Sequence, residues 1–343
     1  MNKRGLKVAI MVASVLTLLG NWIRYAGTVT TGGRFGVVMF GQIIIGFAQP
    51  FVLAAPTRYS DTWFTAEERV TATAIASLAN PFGGALGQLI GPLWATNAVG
   101  IPNMVLYTAI LSSVASLPSF FIPAAPPTPA SASSDQPKLE LRKSFGALST
   151  SVSFYLVLLP FSIYVGFFNA TSSLLNQILE PHGFSETDAG ISGGLLIIVG
   201  LVAAAIVSPI VDRTKRYLLG IKLLVPLIAI CYLVFIWIPQ TRTVVAPYLV
   251  CALLGAFSFP LLPLALEYLV EITHPISPDV TSSIAWASGQ LLAGVFVLVM
   301  GALKKSDGDM RNALIFQAAL ALIAIPPPLC LGLWGRTNNV GRK

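Results

Sequence analysis

Glu267 is the residue of this sequence whose surroundings most directly suggest chemistry. It lies in the segment LPLALEYLVE, where nearly every neighbour is apolar. A carboxylate inside an apolar, membrane-crossing helix is costly to keep charged, and such residues commonly carry protons or pair with cations. Glu267 is therefore a candidate proton-coupling residue, and a structural ion pair near the membrane interface is the equally open alternative.

A second group of charged residues lies at the ends of apolar segments. Asp212, Arg213 and Arg216 occur in SPIVDRTKRYLL, and Glu271 follows Glu267 by one helical turn. An aspartate is stabilised near a helix N-terminus, and arginines can pair with carboxylates at helix ends. We expect these four residues to form a conformational latch at one membrane face. An incidental aspartate in a basic loop is the alternative.

The remaining reactive side chains do not indicate an enzyme or a metal site. His182 and His274 are the two histidines and fall in loops on opposite predicted sides of the membrane, so they cannot share a metal ion. The sequence contains no HExxH motif and no phosphate-binding loop. We therefore predict no catalytic activity, no resident cofactor and no metal.

Ten apolar segments must position these residues. Each is close to the roughly 20 mostly apolar residues that a bilayer-crossing helix needs, and the chain is 55% hydrophobic and 10% charged. Continuous rather than alternating apolar runs indicate helices. The sequence predicts an all-α polytopic membrane protein with helices at 6–26, 35–57, 70–94, 103–123, 149–178, 189–211, 217–238, 245–270, 281–302 and 312–334.

The net charge of +7 reflects membrane topology. With these segments, fifteen of the 21 lysines and arginines fall on the side that holds Met1, and six fall on the other side. The positive-inside rule makes the basic side cytoplasmic, together with both ends of the chain. We therefore expect the lipid bilayer as a partner and no nucleic acid.

A polar break divides the apolar segments into four and six. It begins AAPPTPASASSDQPKLELRK, which has the composition of a flexible linker. Many secondary transporters join two six-helix bundles by a long cytoplasmic loop. We expect an incomplete N-terminal bundle at 1–123, a cytoplasmic linker at 124–148 and a C-terminal six-helix bundle at 149–343. The first two of twelve helices would be absent, through truncation or an incorrect start codon.

The loop SPIVDRTKRYLL resembles the major facilitator superfamily signature GxLaDrxGrkxxl. Asp212, Arg213 and Arg216 match its charged positions, while Ser208 and Lys215 replace its glycines. The resemblance implies a fold of two helical bundles that work by alternating access. It also implies that the charged loop acts as the latch described above.

Further segments resemble a narrower family. They are Gly41-Gln42, Gln49-Pro50-Phe51, Trp63-Phe64, Glu68-Arg69, Leu174 to Ile178, Pro263, Glu267, Glu271-Ile-Thr273 and Gln290. In this order they are similar to solute carrier family 49, the feline leukaemia virus subgroup C receptor-related transporters, over essentially the whole chain. The family implies uniport or proton-linked transport of choline, ethanolamine, pyridoxine-type vitamins or haem.

This resemblance implies three cargo-contacting residues. Tyr164 matches a tyrosine of the family's aromatic box, in which ring faces attract a quaternary ammonium, and Gln290 matches a cargo-facing glutamine. Asn80 begins Asn-Pro-Phe-Gly, where choline carriers have a glutamine after the asparagine. The resemblance places the box tryptophan on the first family helix, one of the two that this chain is expected to lack. A packing role for Tyr164 and an interhelical hydrogen bond for Gln290 are the alternatives.

Taken together, the sequence predicts a secondary transporter of a small organic solute: a choline-like amine, a vitamin or a haem-type cargo. Whether protons are a further partner of transport stays open at this point. The protein is expected in the plasma membrane or in a vacuolar or lysosomal membrane. A transport-incompetent truncated product, or a receptor-like membrane interaction protein, is the alternative from another class.

Overall fold

A computed structural model describes residues 5–30, 33–64, 69–123, 146, 148–214, 216–273, 276 and 278–331 of the chain. Within these residues the regular elements are helices. In chain order they are α1 (Gly5–Val29), α2 (Phe35–Trp63), α3 (Arg69–Trp94), α4 (Ile101–Ser116), α5 (Val152–Leu179), α6 (Glu186–Thr214), α7 (Tyr217–Phe235), α8 (Val245–Thr273), α9 (Pro278–Ala302), α10 (Arg311–Ile323) and α11 (Pro326–Cys330).

Nine segments of the described chain are long and apolar enough to cross a membrane. Eight are centred on α1, α2 and α4 to α9, and the ninth combines α10 with α11. The predicted helix at 70–94 forms as α3, a 26-residue helix that is not one of the nine. The prediction of an all-α polytopic membrane protein is confirmed.

The predicted final span, 312–334, is interrupted in the structure. Helix α10 ends at Ile323, and α11 begins with the prolines Pro326, Pro327 and Pro328. Proline lacks a backbone N–H and its ring clashes with the preceding turn, so a helix cannot run through three of them but can restart at them. The ammonium of Lys222 donates a hydrogen bond of 2.8 Å to the carbonyl of Leu331, at the end of α11.

The chain divides into two compact units. The first comprises Met1–Gly83 and Ile90–Pro137, and the second comprises Gly84–Leu89 and Lys138–Lys343. Most of the predicted linker at 124–148 lies outside the described residues. The domain boundaries at 123 and 149 therefore stay predictions.

Helices α1 and α2 of the first unit approach each other through glycines. A Cβ atom on Gly20 would lie 2.7 Å from the Gly41 carbonyl oxygen, and a Cβ on Gly41 would lie 2.6 Å from that of Gly20. Small residues at such crossings let membrane helices pack backbone to backbone. Neither glycine can be enlarged without separating the two helices.

Helix α5 lies at the centre of the second unit, with contacts to α7, α8, α9 and α10. Its Phe167 is fully buried, stacks on Phe296 with ring centroids 4.1 Å apart, and meets the edge of Phe316. Ser151 begins the helix by accepting a hydrogen bond from the backbone N–H of Phe154. The packing around α5 fixes which of its faces is enclosed.

Candidate functional site

One face of α5 is sealed inside the second unit. Tyr164 is only 3% exposed, and its hydroxyl lies 2.8 Å from the carbonyl oxygen of Ala321 and 3.3 Å from that of Val225. Two turns later, buried Thr171 accepts a hydrogen bond from the side chain of Gln317. The structure thus places Tyr164 against α7 and α10, with its hydroxyl bound to backbone. This placement favours the packing role that the sequence left open.

A polar stripe occupies roughly the opposite face of α5. Asn169, Ser172, Ser173 and Asn176 follow the i, i+3, i+4, i+7 spacing of one helix face. This face is turned away from Thr171, because two residues correspond to roughly 200° of rotation. The Asn169 amide donates to its own helix at 2.8 Å, which leaves its side-chain oxygen for another donor. The buried side-chain oxygen of Asn176 has no hydrogen-bond partner in the described part of the chain.

Helix α9 carries a second stripe along one of its faces. Ser283, Trp286 and Gln290 lie at i, i+3 and i+7 of this face, and the small residues Ala287 and Gly294 complete it. Gln290 and Ser283 are exposed, and the half-buried Trp286 ring meets another aromatic ring edge-on at 5.9 Å. Exposed polar groups in a membrane helix indicate contact with water, solute or protein rather than with lipid.

The two striped helices are locked together. The hydroxyls of Ser162 on α5 and Ser288 on α9 lie 2.6 Å apart. A Cβ atom on Gly166 would lie 2.9 Å from the ring of Phe296, so the two helices are in close contact at these residues. Side chains on such a rigid pair keep a fixed geometry, which a binding site requires.

We call Asn169, Ser173, Asn176, Trp286 and Gln290 the α5–α9 polar surface, a name for the polar side chains of two stripes. Ser288, which contacts α5, lies two residues from both Trp286 and Gln290, so the α9 stripe is turned away from α5. The hydrogen-bonding groups of this surface are neutral, and its one large aromatic ring can attract a cation through its face. The surface is suited to a small polar or cationic solute. Within the described residues, no group of three His, Cys, Asp or Glu side chains could hold a metal ion.

The sequence predicted Gln290 as a cargo contact, whereas the other members of this surface were not predicted. The signal was present, because Asn169, Ser173 and Asn176 recur at the spacing of one helix face within an apolar run, as do Trp286 and Gln290 within another. Asn80, the third predicted cargo residue, is exposed on α3. The structure does not bring Tyr164 to Gln290, since Tyr164 lies on the sealed face of α5.

The predicted proton and latch residues lie on or beside α6 and α8. Glu267 is exposed on α8, and Glu271 is exposed near its final turn. Arg213 is exposed at the end of α6 and Arg216 just before α7. The latch also includes Asp212, on the last turn of α6, whose side chain lies outside the described part. The latch stays a prediction, as does proton coupling by Glu267. His274 lies outside the described residues.

The architecture by itself defines the class of protein. It is a polytopic helical membrane protein with neutral polar stripes inside apolar spans. The sequence matches the Major Facilitator Superfamily over residues 1–297. Solute carrier family 49 member A3 of Danio rerio is 32% identical over 87% of this chain and 65% of its own length. The solute carrier family 49 member 4 homolog of Xenopus tropicalis is 30% identical over 88% of this chain and 71% of its own.

The chain therefore belongs to the Major Facilitator Superfamily and, within it, to solute carrier family 49, as the sequence resemblance predicted. The choline/ethanolamine transporter FLVCR1 of Felis catus is also similar, with 31% identity over 95% of this chain and 60% of its own length. The chain thus spans less than two thirds of the length of two of these three relatives.

Solved structures confirm the fold. A D-xylose-proton symporter matches with a TM-score of 0.67 and 13% identity, covering 96% of this chain and 81% of the symporter. The E. coli fucose:proton symporter FucP matches with a TM-score of 0.65 and 13% identity, covering 94% of this chain and 83% of the symporter. At these identities the likeness concerns the fold alone.

Proposed function

We propose that this chain acts as a secondary transporter of a small organic solute by alternating access, without enzymatic activity. Family membership over residues 1–297 carries the proposal. Relatives whose names describe choline and ethanolamine transport make a small amino alcohol the first solute to test. A multi-pass protein of the plasma membrane or of a vacuolar or lysosomal membrane, with cytoplasmic ends, fits this role.

We further propose that the solute contacts the α9 part of the α5–α9 polar surface, at Trp286 and Gln290. The amide oxygen of Gln290 can accept a hydrogen bond from an ammonium or hydroxyl group. Trp286 lies one turn away on the same helix face, where its ring can attract a positive charge. An amino alcohol offers both groups at a spacing of two carbons. The site needs no carboxylate to bind a cation, because the face of the Trp286 ring supplies the electrostatic attraction.

We also propose that the four latch residues predicted from the sequence act in the change between access states. Arg213 and Glu271 lie near the same ends of α6 and α8, two helices that pack along each other. Pairing among Asp212, Arg213, Arg216 and Glu271 would favour one of the two access states. Rearrangement of the pairs would accompany the change to the other state.

Replacing Gln290 with leucine is expected to weaken ethanolamine binding about 10- to 150-fold. A hydrogen bond to a charged group is worth about 1.5–3 kcal/mol, and each 1.4 kcal/mol corresponds to about tenfold in affinity. The affinity follows from the solute-induced rise in melting temperature of the purified protein. Leu291→Ala is the matched control, because Leu291 is 70% exposed but lies outside the stripe. Equal affinities for both variants would contradict the proposed site.

Replacing Glu267 with glutamine is expected to remove most of the pH dependence of solute uptake. Glutamine keeps the shape of a protonated carboxyl group but cannot exchange a proton. Uptake into vesicles, measured from roughly pH 5 to 8 in steps, gives the profile. Glu186→Gln is the control, at an exposed position in the first turn of α6, and should keep the wild-type profile. A profile that survives Glu267→Gln would assign that residue a structural role.

A further inference from the structure

Arg24 is a charged residue inside a membrane-crossing helix of the first unit. It lies on α1 shortly before the end of that helix at Val29, about 7–8 Å from it at 1.5 Å per residue. Trp22 and Tyr25, on either side of it in sequence, meet edge-on with ring centroids 6.0 Å apart, and Trp22 is 41% exposed. Tryptophan and tyrosine gather where lipid headgroups meet the hydrocarbon. Arg24 therefore lies at about the depth of lipid headgroups.

The side chain of Arg24 packs against α2. A Cβ atom on Gly41 of α2 would lie 2.8 Å from Arg24 Cγ, so the glycine leaves room for the arginine stem. Arg24 Nε is buried and has no hydrogen-bond partner in the described part of the chain. Side chains on a helix lean towards its N-terminus, which for Arg24 is the direction of the bilayer centre. This lean opposes extension of the guanidinium into the water beyond the end of α1.

No carboxylate in the described part of the first unit lies near Arg24. That part contains one acidic residue, Asp61, which is on α2 like Gly41 but roughly 30 Å further along the helix. An arginine side chain stays charged in proteins, and a charge at membrane depth is costly without a counter-ion. The geometry thus leaves a positive charge that an external anion can neutralise.

Asn21 provides a second hydrogen-bond donor one turn before Arg24. It is only 5% exposed, and its amide nitrogen donates a hydrogen bond of 3.0 Å to the carbonyl of Thr17. An amide nitrogen carries two hydrogens, so the other N–H is left for a further acceptor. Residues three apart are neighbours on a helix surface. Arg24 and Asn21 therefore present N–H donors side by side on α1.

We propose that Arg24 and Asn21 form a binding site for a phosphate group. The planar guanidinium matches two phosphate oxygens, and the Asn21 amide can donate to a third. The depth of Arg24 favours the phosphate of a phospholipid headgroup, and a free phosphate ion is the other source of the same chemistry. A cationic solute does not fit this site, because Arg24 would repel it.

A phosphate bound in this way would neutralise Arg24 at the contact between α1 and α2. Because it binds the folded protein, it would also stabilise the fold in proportion to its concentration. The site consists of residues of the first unit alone. It does not depend on the solute contacts proposed for Trp286 and Gln290, so its test can succeed or fail independently of the proposed function.

Melting of the purified protein distinguishes the two sources of phosphate. The protein is stripped of lipid in a phosphate-free detergent. Dioleoyl phosphatidylglycerol should then raise the melting temperature, whereas dioleoylglycerol, which lacks the phosphate, should not. Potassium phosphate is compared with potassium chloride at equal ionic strength. A rise with the phospholipid alone assigns the site to a lipid headgroup, and a rise with potassium phosphate as well shows that the free ion is sufficient.

Arg24→Gln removes the charge and the planar fork of donors. We expect it to weaken the affinity for the phosphate probe about 10- to 150-fold, the effect of losing a hydrogen bond to a charged group. Asn21→Ala should weaken the affinity less. Arg242→Gln is the matched control, because Arg242 is an exposed arginine on the same predicted side of the membrane but belongs to the second unit. It should keep the wild-type affinity.

Native mass spectrometry counts the bound molecules independently of stability. We expect Arg24→Gln to lose one tightly bound phosphate-containing molecule that the wild type and Arg242→Gln retain. Without any phosphate probe, Arg24→Gln should melt no lower than the wild type, because an unpaired charge has been removed. Equal binding of the probes by Arg24→Gln and Arg242→Gln would overturn the proposal. Lower melting of Arg24→Gln without a probe would also overturn it, because this would reveal a protein partner of the guanidinium.

Discussion

Replacing Gly255 with alanine is expected to lower the melting temperature of the purified protein strongly. Gly255 lies on α8 at its crossing with α6, where an added Cβ atom would overlap the carbonyl oxygen of Leu196. The obstacle is backbone, which cannot rotate aside as a side chain can. The two helices would have to separate. Overpacking typically costs about 1–3 kcal/mol, and we expect the upper end of this range or more.

Gly294→Ala is the matched control for this experiment. Gly294 also lies in a membrane helix of the second unit, but a Cβ atom there would meet nothing within 4 Å. Both variants carry the same intrinsic preference of alanine over glycine in a helix. Melting temperatures in one detergent should therefore differ only by the cost of the crossing. Indistinguishable melting of the two variants would mean that α6 and α8 do not cross as closely as described.

Replacing Tyr164 with alanine is expected to destabilise the second unit by about 3–5 kcal/mol, as for other buried aromatic residues. The change leaves a cavity between α5, α7 and α10, and the carbonyl groups of Val225 and Ala321 lose their shared donor. Tyr164→Phe keeps the ring and removes only the hydrogen bond. Its expected cost is about 0.5–1.5 kcal/mol.

The same pair of variants decides between packing and cargo contact for Tyr164. A packing residue changes the melting temperature of the empty protein and leaves the affinity of Tyr164→Phe for ethanolamine or choline unchanged. If Tyr164 contacts the cargo instead, Tyr164→Phe would leave the melting temperature unchanged and would weaken the affinity for the solute. A clear loss of affinity in Tyr164→Phe with wild-type melting would restore this tyrosine to the binding site and exclude the structural explanation.

The sequence specified most of the helices because apolar run length is a local property. The sequence also contained a signal for the helix break before α11, because a helix cannot run through the three consecutive prolines Pro326 to Pro328. The direction in which the side chain of Tyr164 points could not be predicted from the length of an apolar run. Whether a face of α5 is sealed or open depends on α7 and α10, whose contacting residues Val225 and Ala321 lie far along the chain.

Pairs formed over long sequence distances were likewise beyond sequence reasoning. The His182 ring and the Asp309 carboxylate lie 4.0 Å apart although four helices separate them in the sequence, and nothing near either residue indicates the other. The α5–α9 polar surface is an intermediate case. Its two stripes are local patterns that a search by helix face would find, but the packing of their two helices depends on the contact between Ser162 and Ser288.

The most direct test of the account is solute entry into liposomes that contain only this protein. The chain is purified, reconstituted and supplied outside with labelled choline or ethanolamine. We expect saturable uptake of at least one of them, reduced by Gln290→Leu and retained by Leu291→Ala. Uptake no greater than in empty liposomes, although the purified protein is folded by its melting profile, would contradict the assignment of transport to this chain.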